Sequence, residues 1–243
     1  MPEAILDESK VTELAMKGVI LGHKKSKTHP LMRPIIIDTK NDIELLDPQA
    51  VVSSLERAVA FVKEKAKPGY LAFFVATIPG IKDDVKAFAE EFAMPYVVNR
   101  WLGGTLTNFP VISKQVRHYE DLIAKQERGE LAKYTKKEQQ GFAKEIEKMR
   151  GNLQGLIRLT RLPDWMFIVD IKEHETAVRE AKKIGIPVVA IVDSDDDPTL
   201  VTYPIYASDH ARESVKWVME GIGQALRDAA QAPVNAETVI ETK

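Results

Sequence analysis

The chain has no cysteine among its 243 residues. That excludes disulfide frameworks, thiolate metal sites and cysteine nucleophiles, and it fits a reducing cytosol. No apolar stretch is long enough to span a bilayer. The acidic start Met1-Pro2-Glu3-Ala4-Ile5-Leu6-Asp7-Glu8 lacks the basic-then-apolar order of a secretory signal. Several catalytic signatures are missing as well. There is no Gly-x-x-x-x-Gly-Lys-Ser/Thr phosphate loop, and the strand that would precede a Gly-rich dinucleotide loop runs into Thr77-Ile78-Pro79-Gly80 instead. No serine sits in a nucleophile elbow. The histidines at 23, 29, 118, 174 and 210 lack zinc-protease spacing, and His174-Glu175 has no second His four residues on. These absences predict no catalytic residue, no metal, no cofactor and no small-molecule substrate.

What is present is an ordinary apolar content of 44%, enough for a sizeable core in one large domain or in one domain carrying an insertion. Net charge is −2, which by itself argues against a polyanionic partner. The distribution points the other way. Val111 to Arg161 holds 12 Lys/Arg against 7 Asp/Glu, leaving 22 basic and 29 acidic residues elsewhere. Lys24, Lys25, Lys27 and Arg33 form a second basic stretch, with no acid between His23 and Pro34. Such patches are either solvated faces or phosphate-binding surfaces.

Periodicity predicts a helix over 9–17, short strands at 34–38 and 43–46, and a helix over 48–65 with Val52, Leu55, Val59 and Val62 along one side. The run Tyr70 to Ala76 is apolar almost throughout, as in a strand buried on both faces. Further strands are expected at 96–98, 165–169, 188–192 and 203–206, alternating with helices over 81–92, 174–184 and 211–230. This alternation predicts an α/β fold with a doubly wound, mostly parallel sheet, flavodoxin- or Rossmann-like. The body is expected over 1–109 and 160–231. Between its halves, 110–159 is expected to be an inserted antiparallel helical hairpin packed as a coiled coil. Its seams would be Ile112, Val116, Tyr119, Ile123 and Phe142, Ile146, Met149, Leu153, Leu156. Thr135-Lys136-Lys137-Glu138 fits a capping box opening the second helix, with Lys136, Lys137, Lys144, Lys148 and Arg150 left outward. The tail 232–243 has little to bury and is expected to be mobile.

The most informative stretch is Asn99-Arg100-Trp101-Leu102-Gly103-Gly104-Thr105-Leu106-Thr107-Asn108, at a strand-to-helix turn where open α/β sheets place their working loops. It resembles the signature of bacterial small-subunit ribosomal protein S-two. Gly18-Val19-Ile20-Leu21-Gly22-His23 resembles that family's N-terminal Gly-Val-His-Leu-Gly-His motif. Leu162-Pro163-Asp164 and Gly185-Ile186-Pro187, each leading into a strand, resemble its Leu-Pro-Asp and Gly-Ile-Pro segments, with Asp197-Pro198 following. The ordered set runs from about Val11 to Asp228. The resemblance implies a helical hairpin projecting from an α/β body, with small-subunit ribosomal RNA and other small-subunit ribosomal proteins as partners. It also implies a place in the cytoplasm within the ribosome, on the solvent side near the messenger exit. No membrane contact and no reaction are implied.

RNA-binding candidates are Lys24, Lys25, Lys27, Arg33, Arg100, Trp101, Gly103, Gly104, Lys136 and Lys137. The cations neutralise phosphate, and the glycines permit close backbone approach. Trp101 either stacks on a base or ribose or packs against its own domain, and packing is favoured. Two departures from the family stand out: Ile20 replaces the first histidine of the N-terminal motif, and Ile78-Pro79 replaces a more basic stretch. The alternative reading is a metal-dependent phosphohydrolase-like enzyme using the Asp193-Ser194-Asp195-Asp196-Asp197-Pro198 loop. It requires a Lys or Thr partner at another strand end, and only Thr77 occupies such a position.

Overall fold

The computed structural model describes residues 6–231, so the expected mobile tail 232–243 lies outside the described residues. Helix α1 (Glu8–Met16) buries Leu14 and leads into strand β1 (Leu21–Lys24). Strands β2 (Ile36–Lys40) and β3 (Ile43–Leu46) form the expected hairpin, closed by Asn41 and Asp42 at φ 51° and 64°. Two consecutive residues with positive φ give a turn whose twist matches that of the strands, and Asn and Asp tolerate it. The sequence pattern does not predict β1. Its four residues are too short and polar for an alternation signal, and β3 recruits them through the pairs Leu21↔Leu45 and Lys24↔Ile43. The result is a three-stranded antiparallel sheet, β1-β3-β2.

Asp47 caps α2 (Pro48–Lys65) by accepting from Gln49 N at 3.0 Å, and Pro48 occupies the first helical position, where a missing N–H costs nothing. The main sheet then assembles from β4 (Ala72–Val75), β5 (Tyr96–Val97), β6 (Trp165–Ile168), β7 (Val188–Val192) and β8 (Tyr203–Tyr206). All pairs are parallel, in the order β5-β4-β6-β7-β8. Helices α3 (Lys82–Glu91), α6 (Glu175–Ile184) and α7 (Arg212–Gln231) make the crossovers and the final cover. Alternation along β4 shows the two faces. Phe74 meets Phe88 of α3 and, with Phe61 of α2, the ring of Trp165, while Phe73 points to the other side and meets Trp101. With helices on both faces, the central strands carry no charge and are fully buried.

Two of the motifs have plain structural reasons. Asp164 accepts from Leu71 N at 2.7 Å and pairs with Arg161, which ties the entry of β6 to the entry of β4. Gly185 ends α6 at φ 77°, with Ile186 N donating to Ala181 O at 2.9 Å; Pro187 then starts the path into β7.

Between β5 and β6 lie α4 (Phe109–Glu127) and α5 (Lys136–Leu153), packed side by side with His118 beside Glu145. Their apolar seams are largely those expected, with one difference: Leu122, not Ile123, is the fully buried position, because the inner face of α4 turns slightly after Tyr119. The capping box is formed, with Thr135 N donating to Glu138 Oε2 at 2.9 Å and Glu138 N to Thr135 Oγ1. No helix among the described residues is long and apolar enough to cross a membrane.

Candidate nucleic-acid interface

The turn between β5 and α4 is organised around a residue from elsewhere. Glu180, in the middle of α6 and only 8% exposed, points its carboxylate into the loop. One oxygen accepts from the Trp101 indole at 3.0 Å and from Gly104 N at 2.8 Å. The other accepts from Leu106 N at 3.0 Å and from Thr107 N and Oγ1, both at 3.1 Å. Burial alone would raise the Glu180 pKa; the indole and the Thr107, Gly104 and Leu106 amides outweigh it and hold the carboxyl below its ordinary value. Sequence reasoning does not single out Glu180. The available signal is its place on the same helix face as Ala177, Val178 and Ala181, all buried.

This clasp decides the roles within the signature. The Trp101 ring lies 5.6 Å from that of Phe73 and its N–H is engaged by Glu180, so the residue packs against its own domain. Gly104 adopts φ 88°, which a side chain would strain, and that lets its amide reach Glu180. Gly103 is exposed, with open space where a Cβ would project. Arg100 is exposed at the rim of a cleft of about 380 Å³, lined also by Thr77, Trp101, Gly103, His174 and Thr176. The cleft opens at the carboxyl ends of β4, β5 and β6, where the strand order reverses. The buried His174 spans its floor, with Nδ1 against Asp170 O at 2.8 Å and Nε2 against Thr77 Oγ1 at 3.1 Å. A carbonyl only accepts, so Nδ1 donates, and in the neutral ring Nε2 takes the Thr77 proton. Arg100 and the amino-terminal turn of α6 favour an anion here, while the carboxylates of Glu173, which also lines the cleft, and of Glu175 in that first turn oppose it.

The remaining candidates fall in two other places. Lys24, Lys25, Lys27 and Arg33 are exposed on β1 and the two short turns after it. Their loop is anchored by Lys25 N to Asp42 O (2.8 Å), His29 N to Ser194 O (2.9 Å) and Thr28 Oγ1 to the buried Glu44 (3.1 Å). Lys136 and Lys137 stand exposed on the first turn of α5, whereas Asn99 bonds Gly151 O near its other end. At 1.5 Å per residue, about 20 Å of helix separates them from the Arg100 turn. No ion pair among the described residues uses any of these cations.

The Asp193–Asp197 loop is mostly self-satisfied. Asp193 Oδ1 accepts from Ser194 N, Asp196 from Asp193 N at 3.0 Å, and Asp197 from Thr199 N at 2.9 Å, while Asp195 pairs with Lys172 at 2.8 Å. Thr77 gives its hydroxyl to His174 and supplies no partner to this loop. One set of side chains here is not expected from sequence: His23, Asp193, Asp209 and His210 converge from three separate segments.

The family described as Ribosomal protein S2 matches residues 14–229, which is most of the chain. The chain belongs to this family. Relatives named small ribosomal subunit protein uS2 agree over most of both lengths. The Coprothermobacter proteolyticus protein is 39% identical over 93% of this chain and 85% of its own. The Thermus thermophilus protein is 40% identical over 87% of this chain and 83% of its own. The Fusobacterium nucleatum protein is 37% identical over 93% of this chain and 92% of its own.

Within this family member, the two departures noted in the sequence have structural consequences. Ile20 is buried, and its carbonyl accepts from Leu46 N at 2.9 Å, so the position is filled by core packing. Ile78 is partly buried against the core, and its carbonyl accepts from Ile81 N and Lys82 N at the start of α3.

Proposed function

We propose that the chain is a structural constituent of the small ribosomal subunit, held by ribosomal RNA and neighbouring ribosomal proteins, and that it performs no reaction. The observation that carries this reading is the family membership, with uS2 relatives aligned over more than four fifths of their own length. The geometry supports a division of labour. The anchored cations Lys24, Lys25, Lys27 and Arg33 meet phosphates by charge. Arg100 and the exposed Gly103 offer a second phosphate contact at the cleft, with Gly104 and Trp101 shaping the turn behind them. Lys136 and Lys137 carry a third contact away from the body at the far end of the helical pair, which packs as a short coiled coil. Contacts of this kind position a protein on folded RNA with little base readout. The proposed location is the cytoplasm, in the ribosome, on its solvent side near the messenger exit.

Sucrose-gradient sedimentation of a native extract tests the reading. The protein should travel with the small subunit, and Lys24→Glu/Lys25→Glu/Lys27→Glu should shift a large share of it to the free fraction and weaken crosslinking to ribosomal RNA. A wild-type protein found only in the free pool would overturn the assignment. Unchanged crosslinking of the triple variant would remove this loop from the interface.

A further inference from the structure

The far end of the helical pair is built more firmly than a connecting turn requires. Gly129 follows α4 at φ 72°, and residues 130–133 make one tight turn, with Ala132 N donating to Gly129 O at 3.1 Å and Tyr134 N to Leu131 O at 3.2 Å. The Gln139 side chain reaches back from α5 and donates to Ala132 O at 3.2 Å and to Tyr134 O at 2.8 Å. The capping box of Thr135 and Glu138 follows at once. The backbone on both sides of Tyr134 is therefore fixed, yet the residue stands 42% exposed.

The Tyr134 ring meets the half-buried Phe142 edge to face, 5.2 Å between centroids and 67° between planes. In such a pair one edge meets one face, so at least one face of Tyr134 is left uncovered by Phe142. Lys133, Lys136 and Lys137 stand exposed on either side of it in the sequence, in no ion pair among the described residues. The charges around them are already matched. Lys125 pairs with Asp121 at 2.6 Å and Arg128 with Glu130 at 3.1 Å, and the Glu138 carboxylate is taken by Thr135, which leaves Glu127 as the one acid of 121–138 outside such a contact among the described residues. We propose that Tyr134 is a stacking platform for an unpaired base of ribosomal RNA, with Lys133, Lys136 and Lys137 holding the phosphates beside that base.

The chemistry of the tip selects this occupant. A ring set among uncompensated lysines suits a polyanion that also carries flat apolar faces, whereas a docked protein calls for a wider apolar patch. Bases inside an RNA helix are stacked on one another, so a lone aromatic face finds its partner in a loop, a bulge or an end. Every base has such a face, and the contact therefore needs no particular sequence. A loop already fixed by Gln139 and the capping box loses little freedom on binding. Next to the turn, a cavity of about 590 Å³ walled by Leu131, Ala132 and Ala143 is lined also by Lys136 and by the side-chain amides of Gln126 and Gln140, which gives room for a flanking nucleotide. The inference rests on the ribosomal reading and sharpens it: the contact at the far end of the helices holds RNA by stacking as well as by charge.

The test rebinds the full chain to small subunits from which the native protein has been washed. Tyr134→Leu keeps an apolar side chain against Phe142 and removes the aromatic face. It should melt like the wild type and rebind about 5- to 150-fold more weakly, whereas Tyr134→Phe should rebind within about twofold of the wild type. Because stacking displaces no counterions, Tyr134→Leu should leave the salt dependence of rebinding parallel to that of the wild type. Ultraviolet irradiation of the rebound wild type should link the peptide holding Tyr134 to a nucleotide that chemical probing finds unpaired. Wild-type affinity in Tyr134→Leu would overturn the proposal, and so would a crosslink from Tyr134 to a neighbouring protein or to a paired nucleotide, with the ribosomal reading intact in either case. Failure of the wild type itself to rebind would bring down the ribosomal reading and this inference with it.

Discussion

Glu180 shows how one side chain can set the shape of a loop remote in sequence. Three backbone amides, a hydroxyl and an indole converge on its carboxylate. Glu180→Ala strands these donors in a partly buried turn, and the expected loss is on the order of 3 kcal/mol. For a chain of this size that lowers the melting temperature by roughly 6–12 °C. Glu180→Gln keeps one accepting oxygen and should lose about half as much. Equal melting of wild type and Glu180→Ala would mean that the turn holds itself. The same carboxylate predicts a pH effect. Its pKa is lowered by folding, so it contributes stability above its unfolded value of about 4.3 and gives it up as pH falls through the folded value. The Trp101 indole N–H resonance, followed by NMR, should therefore move only at pH values below the ordinary glutamate range in the wild type and stay unchanged over that range in Glu180→Gln.

Secondary-structure elements in this protein approach one another most closely at two glycines. One is Gly22 under Ser194; the other is Gly155, just after α5, where a Cβ would lie 2.1 Å from the Tyr96 carbonyl oxygen. The second of these approaches seats the returning end of the helical pair on β5, and through β5 it sets the path into the Arg100 turn. Gly155→Ala must push backbone against backbone, and a cost of about 1–3 kcal/mol is expected. Gly141 lies inside α5 with open space around it. There the same substitution should stabilise by about 0.5–1 kcal/mol, because alanine is the better helix former. Thermal melting of the two variants should move in opposite directions, and a shared sign would contradict the packing described at Gly155.

At the scale of the molecule, a net charge of −2 coexists with cations held in three separate places, none in an ion pair among the described residues. The acids concentrate elsewhere, notably at the Asp193–Asp197 loop and Asp209. Attraction to RNA is then local, and affinity should fall steeply with salt despite the acidic total. Removing one phosphate-binding cation makes the dependence of log K on log salt shallower by about 1. Binding of the full chain to ribosomal RNA over a salt series should therefore show a slope shallower by roughly 3 in the Lys24→Glu/Lys25→Glu/Lys27→Glu variant. A parallel line with lower affinity would mean that the loop acts through shape and not through charge.

Local pattern was enough to determine most of the elements. Strands at 188–192 and 203–206, the helix over 48–65 and the capping box at Thr135 could be read because propensity, periodicity and capping are properties of neighbours in sequence. The motifs also led to the right family, since their order along the chain is itself linear information. What the motifs are for was decided in three dimensions. Trp101 and Gly104 answer to Glu180, more than 70 residues away, and His23 answers to Asp193 across 170. β1 became a strand only because β3 offered its edge. A buried polar atom is satisfied by whatever the fold brings to it, and no window of neighbouring residues contains that partner.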